Sequence, residues 1–370
     1  MNEIFRRTFD RDPDVNGSAP GRVNLIGEHT DYNGGYVLPT ALPQETHVWL
    51  ARRSDRTVRA VSVDLGADSL ATFALGNEAR TDSWVDYVQG VTWALGERGV
   101  RVEGADILVT SNVPIGKGLS SSASLEVAVG RALRTAFQLA LTDVDIAMLG
   151  HRAETAFVGA PVGIMDQMVC SLGDRSTALF LDARTKAYEK VPMPADVELG
   201  VIDSGIAHSH ASGEYRTRRR ECDDAASLLG VEMLRDVTVA DLERIARLPE
   251  PLNRRARHVV TENARVLSAV DAIRRNDPAT LGRLFLESHA SMRDDFEVSL
   301  PEIDQLVDIS ASDPRVYGSR LTGGGFGGAI VVLCRKGKAA EIVRTAVEQY
   351  GVRTHCKGDV LLPQMRYTAA

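Results

Sequence analysis

Residues 114–124 read Pro-Ile-Gly-Lys-Gly-Leu-Ser-Ser-Ser-Ala-Ser, and this stretch decides how the N-terminal half is interpreted. A strand-like run at 105–110 precedes it, and a helix-like run at 125–139 follows it. Closely spaced glycines let a backbone approach an anion, and the N-terminus of a following helix favours phosphate. Serine hydroxyls can add hydrogen bonds or bind a magnesium ion. The stretch therefore predicts a triphosphate-binding loop. The alternative is a Gly/Ser connector before a capped helix, and the missing Gly-Lys-Ser/Thr ending disfavours a P-loop nucleotidase.

The composition is that of an ordinary globular protein. The 370 residues, 44% of them hydrophobic and 25% charged, allow about two domains. The net charge of −7 argues against nucleic acid and anionic membranes as general partners. The four cysteines show no CxxC spacing, which favours reduced thiols, and neither a signal peptide nor an apolar run of about 18 residues is evident. We expect a cytoplasmic protein, and a monomer because no interface motif is evident.

Strand-like and helix-like segments occur in mixed order along the chain. The predicted strands are 46–51, 57–63, 105–110, 178–182, 198–203 and 329–334. The predicted helices are 84–96, 125–139, 142–158 (with Thr142 as N-cap), 254–274, 279–292, 301–311 and 338–350. This order predicts an α+β protein with an N-terminal lobe, 1–190, and a C-terminal lobe, 191–370, whose last residues pack back on the first. Active sites often lie between two such lobes.

A second motif at 19–35 combines charged groups with glycines. Its charged side chains and its histidine are Arg22, which follows Gly21, and Glu28, His29 and Asp31, which follow Gly27. Carboxylates accept several hydrogen bonds and an imidazole can give or accept one, so this set suits the hydroxyls of a sugar. A surface turn with incidental salt bridges is the alternative.

Two further features carry chemistry. Asp166 stands in the apolar run Gly-Ile-Met-Asp-Gln-Met at 163–168, where a carboxylate needs a partner. It suits a base or an electrostatic partner for a hydroxyl nucleophile, or alternatively a helix cap. The glycine-rich run 323–328 precedes an apolar strand and is either a tight turn or a loop closing over phosphate or sugar.

Together these ordered motifs resemble the GHMP kinase family over about residues 19–335. Within that family, Gly-Arg-Val-Asn-Leu-Ile-Gly-Glu-His-Thr-Asp-Tyr at 21–32 resembles the sugar motif of the branch that phosphorylates galactose, and 288–299 resembles it too. The resemblance implies a two-lobed GHMP kinase fold, with a ribosomal-protein-like N-terminal lobe and a ferredoxin-like C-terminal lobe. It also implies ATP-dependent transfer of phosphate to the C1 hydroxyl of galactose, which gives galactose 1-phosphate and ADP.

The resemblance also implies a role for each matching residue. Asp166 would face the C1 hydroxyl, as a base or only to orient it, with Arg22 beside it. The sugar would be bound by Glu28, His29, Asp31, Gly163 and Tyr215. Magnesium would be held by Ser122 and Glu154, with Ser121 as a rival to Ser122. The nucleotide would be bound by Trp84 and Tyr87 at the adenine, and by Pro114, Gly116, Lys117, Gly118, Leu119, Ser120, Ser121, Ser122 and Ala123.

The sequence departs from the family pattern at two positions. Ala207 stands where many relatives carry a basic residue, and His208 or His210 could substitute for it. Lys117 stands in a loop that is more glycine-rich in relatives, and it either contacts a phosphate or points to water. His289, which invites a catalytic interpretation, is assigned a structural role.

Two other functions remain open from the sequence. A kinase for a related sugar, such as N-acetylgalactosamine or arabinose, would carry similar motifs. A non-enzymatic sensor of galactose and ATP could share the fold. Sensors tend to have damaged phosphate loops or lost acids, and this chain retains both.

Overall fold

The computed structural model describes residues 1–206 and 211–363. Contacts between residues divide the chain into two units. The first holds residues 1–22, 41–115 and 119–174, and the second holds 23–40, 116–118 and the chain from Arg175 onward. The predicted lobes were each continuous in sequence, with a division near residue 190. These units are not continuous, because the short strand Tyr36–Val37 pairs with the strand Thr177–Asp182 of the second unit.

The strands of the described residues follow one another in a mixed order with the helices. In chain order they are β1 (Val15–Asn24), β2 (Tyr36–Val37), β3 (Pro39–Arg52), β4 (Thr57–Ser62), β5 (Ala71–Ala74), β6 (Ala105–Ser111), β7 (Thr177–Asp182), β8 (Tyr188–Pro192), β9 (Val197–Asp203), β10 (Val316–Thr322), β11 (Ala329–Arg335) and β12 (Asp359–Leu362).

Of the α-helices in the described residues, five lie in the first unit and six in the second. In chain order they are α1 (Asn2–Phe9), α2 (Val85–Glu97), α3 (Ser121–Ala136), α4 (Asp143–Arg152), α5 (Met165–Leu172), α6 (Ala211–Leu228), α7 (Leu242–Ile245), α8 (Leu252–Arg274), α9 (Pro278–Asp294), α10 (Pro301–Ala311) and α11 (Ala339–Thr354). None of the helices in the described part of the chain is long and apolar enough to cross a membrane.

The first unit is built on a five-stranded sheet in the order β1-β3-β6-β4-β5. β3 runs antiparallel to β6, with Thr46 opposite Ser111, and β4 runs parallel to β6. Burial alternates along much of β3, as expected for a strand with one face on a core. The core joins apolar strand residues to the helices that follow, and includes Val48, Ile107, Val127, Leu133 and Ile146. This packing fixes the start of α3 and of α5, where the predicted site residues lie.

The second unit contains two smaller sheets. One has the order β10-β11-β9-β12 with antiparallel neighbours, and the other has the order β2-β7-β8. Its main core includes Ile202, Val259, Phe296, Ile330 and Tyr350. In α8 the four valines, Val259, Val260, Val266 and Val270, are buried, whereas Leu267 is 43% exposed.

Most predicted elements are confirmed, and the α+β prediction holds. Thr142 caps α4 as predicted, since its Oγ1 accepts from the Asp145 N–H at 3.1 Å. That helix stops being α-helical at Arg152 and continues as a π-helical segment, Ala153–Val158. The predictions did not include α1, α5, α6, α7, β2, β5, β8, β10 and β12. They also left out β1, because its C-terminal end coincides with the motif at 19–35.

Some predictions concern residues outside the described ranges. Ala207, His208 and His210 lie there, as do residues 364–370, which were expected to pack on the first lobe. The four cysteines are free thiols, and three of them are buried.

Candidate active site

A buried arginine and a partly exposed aspartate form a two-armed ion pair in the first unit. Arg22 Nε donates to Asp166 Oδ1 at 2.7 Å, and Nη2 donates to Oδ2 at 2.8 Å. Arg22 lies near the end of β1 and Asp166 in the first turn of α5, 144 positions apart in sequence. The Arg22 side chain is 6% exposed and the Asp166 side chain 24% exposed. The pair therefore presents a carboxylate edge beside a fixed positive charge, which suits chemistry at a hydroxyl group.

The alternative role for Asp166, a helix cap, does not fit the geometry. Ile164 occupies the N-cap position of α5, and the Asp166 carboxylate bonds to Arg22. The predicted partners are therefore brought together, although nothing local in the sequence connects them.

The predicted phosphate loop connects β6 to α3 and needs its glycines. Gly116 and Gly118 both have φ of 71°, a left-handed conformation that glycine adopts without steric cost. Gly21 is needed for a different reason, because a Cβ there would lie 2.9 Å from the Leu119 carbonyl oxygen. β1 thus packs directly on the loop.

The loop delivers the chain to the N-terminus of a 16-residue helix, α3. Ser121 and Ser122 are half-buried in its first turn, whereas Leu119 and Ala123 are buried, so only the backbone of those two can reach a ligand. Pro114 is half-buried and Ile115 is exposed. Free N–H groups at a helix start bind anions, so this arrangement is suited to phosphate.

Lys117 forms an ion pair, an outcome the sequence did not anticipate. Its Nζ lies 2.6 Å from Asp203 Oδ2, and the Asp203 side chain is 4% exposed. A Cβ on Gly323 would lie 3.3 Å from the Gly118 carbonyl oxygen, so the glycine-rich run 323–328 meets residues 116–118 within the second unit.

Glu154 and Ser122 lie in contact, as a shared metal site requires. Glu154 lies in the π-helical segment. Such segments are rare in proteins, and those that occur are often at functional sites. Burial, followed by the nearby Asp166 charge, raises the pKa of Glu154 to about 7, and a hydrogen bond from the Ser122 hydroxyl opposes this rise. The described residues hold no cluster of three or more His, Cys, Asp or Glu that could bind a metal alone.

A buried glutamine supports Glu154 from behind. Gln167 Nε2 donates to Glu154 Oε2 at 2.6 Å and to Glu126 Oε2 at 3.0 Å. Burial, with the neighbouring Glu154 charge, raises the pKa of Glu126 well above its usual range. Asp166 and Gln167 are consecutive in α5, so one helix turn orients both the aspartate and the glutamate of the site.

Trp84 lines a cavity of about 560 Å³ in the first unit. Its walls include Leu70, Phe73 and Val85, and Trp84 Nε1 donates to the Ser69 carbonyl oxygen at 3.2 Å. Tyr87 is half-buried in the first turn of α2, and burial raises its pKa to about 12. Half of the fourteen lining residues are polar and Tyr87 is not among them, so the aromatic surface for a planar base comes from Trp84 and Phe73.

In the second unit, Glu28 is held by a buried arginine that was not among the predicted site residues. Glu28 is 2% exposed and forms an ion pair with Arg320, which is fully buried. Its other oxygen accepts from the Gly323 N–H at 3.1 Å. Burial raises the pKa of Glu28, and the Arg320 charge opposes that rise. The sequence did contain a signal for Arg320, since it is the one charged residue in the stretch 316–322 that leads into the glycine-rich run 323–328.

His29 has a defined tautomer in the second unit. Nε2 lies 3.2 Å from the Gly324 carbonyl oxygen, which can only accept, so Nε2 carries the proton and Nδ1 accepts from the Tyr32 hydroxyl at 2.9 Å. Burial, followed by the nearby His258, lowers the pKa of His29 to about 3. The Tyr215 ring lies 5.3 Å from the His29 ring. These three side chains therefore form one aromatic cluster.

Asp31 and Gly163 are the remaining predicted sugar-binding residues. Asp31 begins a short 3₁₀ turn, where its Oδ1 accepts from the Tyr32 N–H at 2.9 Å. Gly163 is half-buried, three residues before Asp166. His289 is 4% exposed, accepts from the Leu321 N–H through Nδ1 and lies 3.1 Å from Asp304 through Nε2, which agrees with a structural role.

Three family models match the chain. Residues 3–52 match the galactokinase galactose-binding signature, residues 86–174 match the N-terminal domain of GHMP kinases, and residues 269–353 match the GHMP kinase C-terminal domain. The phosphate loop and Arg22–Asp166 pair therefore lie in a molecule of the GHMP kinase class, as the motifs predicted.

Solved structures narrow the assignment. Lactococcus lactis galactokinase, complexed with galactose, is 30% identical over 97% of this chain and 95% of its own, with a TM-score of 0.92. Methanococcus jannaschii mevalonate kinase is 16% identical over 94% of this chain and 97% of its own, with a TM-score of 0.67. Streptococcus pneumoniae phosphomevalonate kinase, in complex with phosphomevalonate and AMPPNP, is 13% identical over 94% and 98%, with a TM-score of 0.69.

The last two structures show the fold alone, which confirms the predicted two-lobed GHMP kinase fold. The first, with the galactose-binding signature, shows more: the chain belongs to the galactokinase family. It is a sugar kinase that transfers phosphate to a hydroxyl group.

Proposed function

We propose that this kinase transfers the γ-phosphoryl group of ATP to the C1 hydroxyl of galactose at Arg22 and Asp166. The observation that supports the proposal is the two-armed ion pair between these residues, which fixes a carboxylate edge beside a positive charge. The bond between the γ-phosphorus and the β–γ bridging oxygen breaks as the bond to the sugar oxygen forms, leaving ADP. The hydroxyl proton goes to Asp166 or to solvent.

The protein has little covalent work to do in this reaction. Phosphoryl transfer depends mainly on alignment and on stabilising charge at the phosphate oxygens. Arg22 supplies a guanidinium next to the reacting oxygens, and the N–H groups at the start of α3 receive the phosphates. Trp84, with Tyr87, binds the adenine. Glu28, His29, Asp31, Gly163 and Tyr215 recognise the rest of the sugar, largely through groups whose orientation is already fixed.

The residues present fit a magnesium ion carried by the nucleotide. Magnesium is usually held by one or two carboxylates plus substrate phosphates and water, so Glu154 with the Ser122 hydroxyl is a sufficient protein contribution. When bound, the ion neutralises charge on the phosphate oxygens. Ser121, half-buried beside Ser122, is the rival ligand.

The test of the reaction centre is the Asp166→Asn variant, assayed by galactose-dependent ADP release. We expect kcat to fall roughly 10²- to 10⁴-fold, the range for loss of a positioned acid–base group. The control is Asp271→Asn on α8, where the side chain is 60% exposed and its ion pair spans 3.7 Å. Near-normal turnover in Asp166→Asn would show that the reaction centre is assigned wrongly.

The choice of sugar needs a separate experiment. ADP release is measured with galactose, N-acetylgalactosamine, a 2-amino galactose, glucose and arabinose. We expect the highest kcat/KM with galactose. A higher value with another sugar would reassign the substrate, and no sugar-dependent release would favour a sensor. The monomeric state and the cytoplasmic location stay predictions.

A further inference from the structure

We propose that Ser120 is a positioning residue that orients Asp166 through its hydroxyl, in addition to its place in the phosphate loop. This inference rests on the proposed function, since it assigns how the carboxylate of that reaction centre is held. The observation is a hydrogen bond of 2.5 Å from Ser120 Oγ to Asp166 Oδ2. Ser120 is 8% exposed, so this contact is shielded from solvent.

The hydroxyl of Ser120 has only one proton to give. While Oγ donates that proton to Asp166, it cannot also donate it to a phosphate oxygen. A serine at this loop position was expected to bind the nucleotide, and the geometry instead directs its hydroxyl at the carboxylate. The nucleotide is left with the backbone N–H groups of α3 and the hydroxyls of Ser121 and Ser122.

The backbone at Ser120 supports the same conclusion. Ser120 is the N-cap residue of α3, yet it has φ of 62° and ψ of 47°, a left-handed conformation uncommon for residues other than glycine. An N-cap serine ordinarily lies in the extended region and accepts from the first helical turn through its side-chain oxygen. Here the side chain bonds to Asp166. One residue thereby leaves the α3 N–H groups open to an anion and gives Asp166 a hydrogen-bond donor in addition to Arg22.

The hydrogen bonds also distinguish the two carboxylate oxygens. Oδ2 accepts from both Ser120 and Arg22 Nη2, whereas Oδ1 accepts from Arg22 Nε, among the described residues. A carboxylate oxygen has about two lone-pair sites. Oδ1 therefore has one lone-pair site left for another donor, whereas both sites of Oδ2 are used. We assign Oδ1 as the atom that accepts the hydrogen bond from the sugar hydroxyl.

The experiment compares Ser120→Gly and Ser120→Ala with Ser121→Ala. Glycine removes the hydroxyl and adopts the left-handed backbone without strain, so Ser120→Gly should keep the thermal unfolding midpoint of the parent. Ser120→Ala removes the same hydroxyl but keeps a side chain in the left-handed conformation. In both Ser120 variants we expect kcat to fall roughly 10- to 100-fold, the range for an outer hydrogen-bond partner, with the KM values for ATP and galactose within about twofold of the parent. Ser121→Ala should instead raise the KM for ATP.

A double-variant cycle shows whether Ser120 acts through Asp166. Adding Ser120→Gly to Asp166→Asn should lower the residual turnover by less than about twofold, because the partner of the hydroxyl is already altered. A raised KM for ATP with unchanged kcat in Ser120→Gly would make Ser120 a phosphate ligand and overturn the inference. So would full kcat in Ser120→Gly, or independent losses in the cycle. If Asp166→Asn itself kept normal turnover, the proposed function would fail first.

Discussion

Replacing Arg320 with methionine should destabilise the second unit by about 3–5 kcal/mol, the usual cost of leaving one partner of a buried ion pair uncompensated. The Arg320 side chain is 0% exposed and that of its partner, Glu28, 2% exposed. Arg320 Nη1 also donates to the Leu25 carbonyl oxygen at 2.9 Å. Methionine fills much of the same volume but removes the charge and these donors.

The loss should depend on pH with a definite sign. Burial already raises the pKa of Glu28, and the Arg320 charge opposes that rise. Without Arg320 the folded-state pKa of Glu28 rises further above its unfolded value, so the folded protein takes up a proton that the unfolded chain lacks. Stability of the variant is then retained at low pH and lost as pH rises through the folded-state pKa, by up to about 1.4 kcal/mol per pH unit.

The assay is urea unfolding at pH 6 and pH 8, followed by circular dichroism. Tryptophan fluorescence would report the wrong unit, because Trp49, Trp84 and Trp93 all lie in the first one. Glu28→Gln combined with Arg320→Met should recover most of the loss, since no charge is then left buried alone.

Arg274→Met is the matched control for the loss of an ion pair. Arg274 pairs with Glu189 at 2.7 Å, but the side chains are 48% and 52% exposed, so the change should stay below about 0.5 kcal/mol. A loss under about 1 kcal/mol in Arg320→Met, or a double variant no more stable than the single one, would refute the reasoning.

Three further predictions concern the predicted ligand groups. Burial raises the pKa of Glu154 to about 7, so the apparent affinity for Mg²⁺ should fall up to about tenfold per pH unit below that value. The measurement is the Mg²⁺ dependence of turnover at pH 6 and at pH 8. Equal apparent affinities at the two pH values would contradict the prediction. Gly21→Ala would place a Cβ 2.9 Å from the Leu119 carbonyl oxygen. We therefore expect the free energy of unfolding, measured with urea, to fall by about 1–3 kcal/mol, and kcat to fall as well. No change in either would show that the loop can shift to accommodate the methyl group. Lys117→Met should lower the midpoint of thermal unfolding, because the buried Asp203 carboxylate loses its ion-pair partner. A raised KM for ATP with an unchanged midpoint would mean that Lys117 binds phosphate instead.

Local features of the site were predictable because they depend on neighbours in sequence. The strand, glycine turn and helix around residues 105–136 follow from periodicity and from glycines at the left-handed positions Gly116 and Gly118. The Thr142 cap follows from an acid three residues later. By contrast, Ser120 was assigned only to the nucleotide, because one-dimensional spacing cannot show which group a hydroxyl meets.

Many of the elements, the residue types of the site and the kinase family follow from the sequence alone, since each depends on periodicity or on motifs of a few residues. Which charged groups pair with one another depends on tertiary packing. Arg22 meets Asp166 across 144 residues, and Arg320 meets Glu28 across 292. A run of strand or helix specifies neighbours two to four positions away, whereas contacts over such separations exist only once sheets and helices have closed around a core.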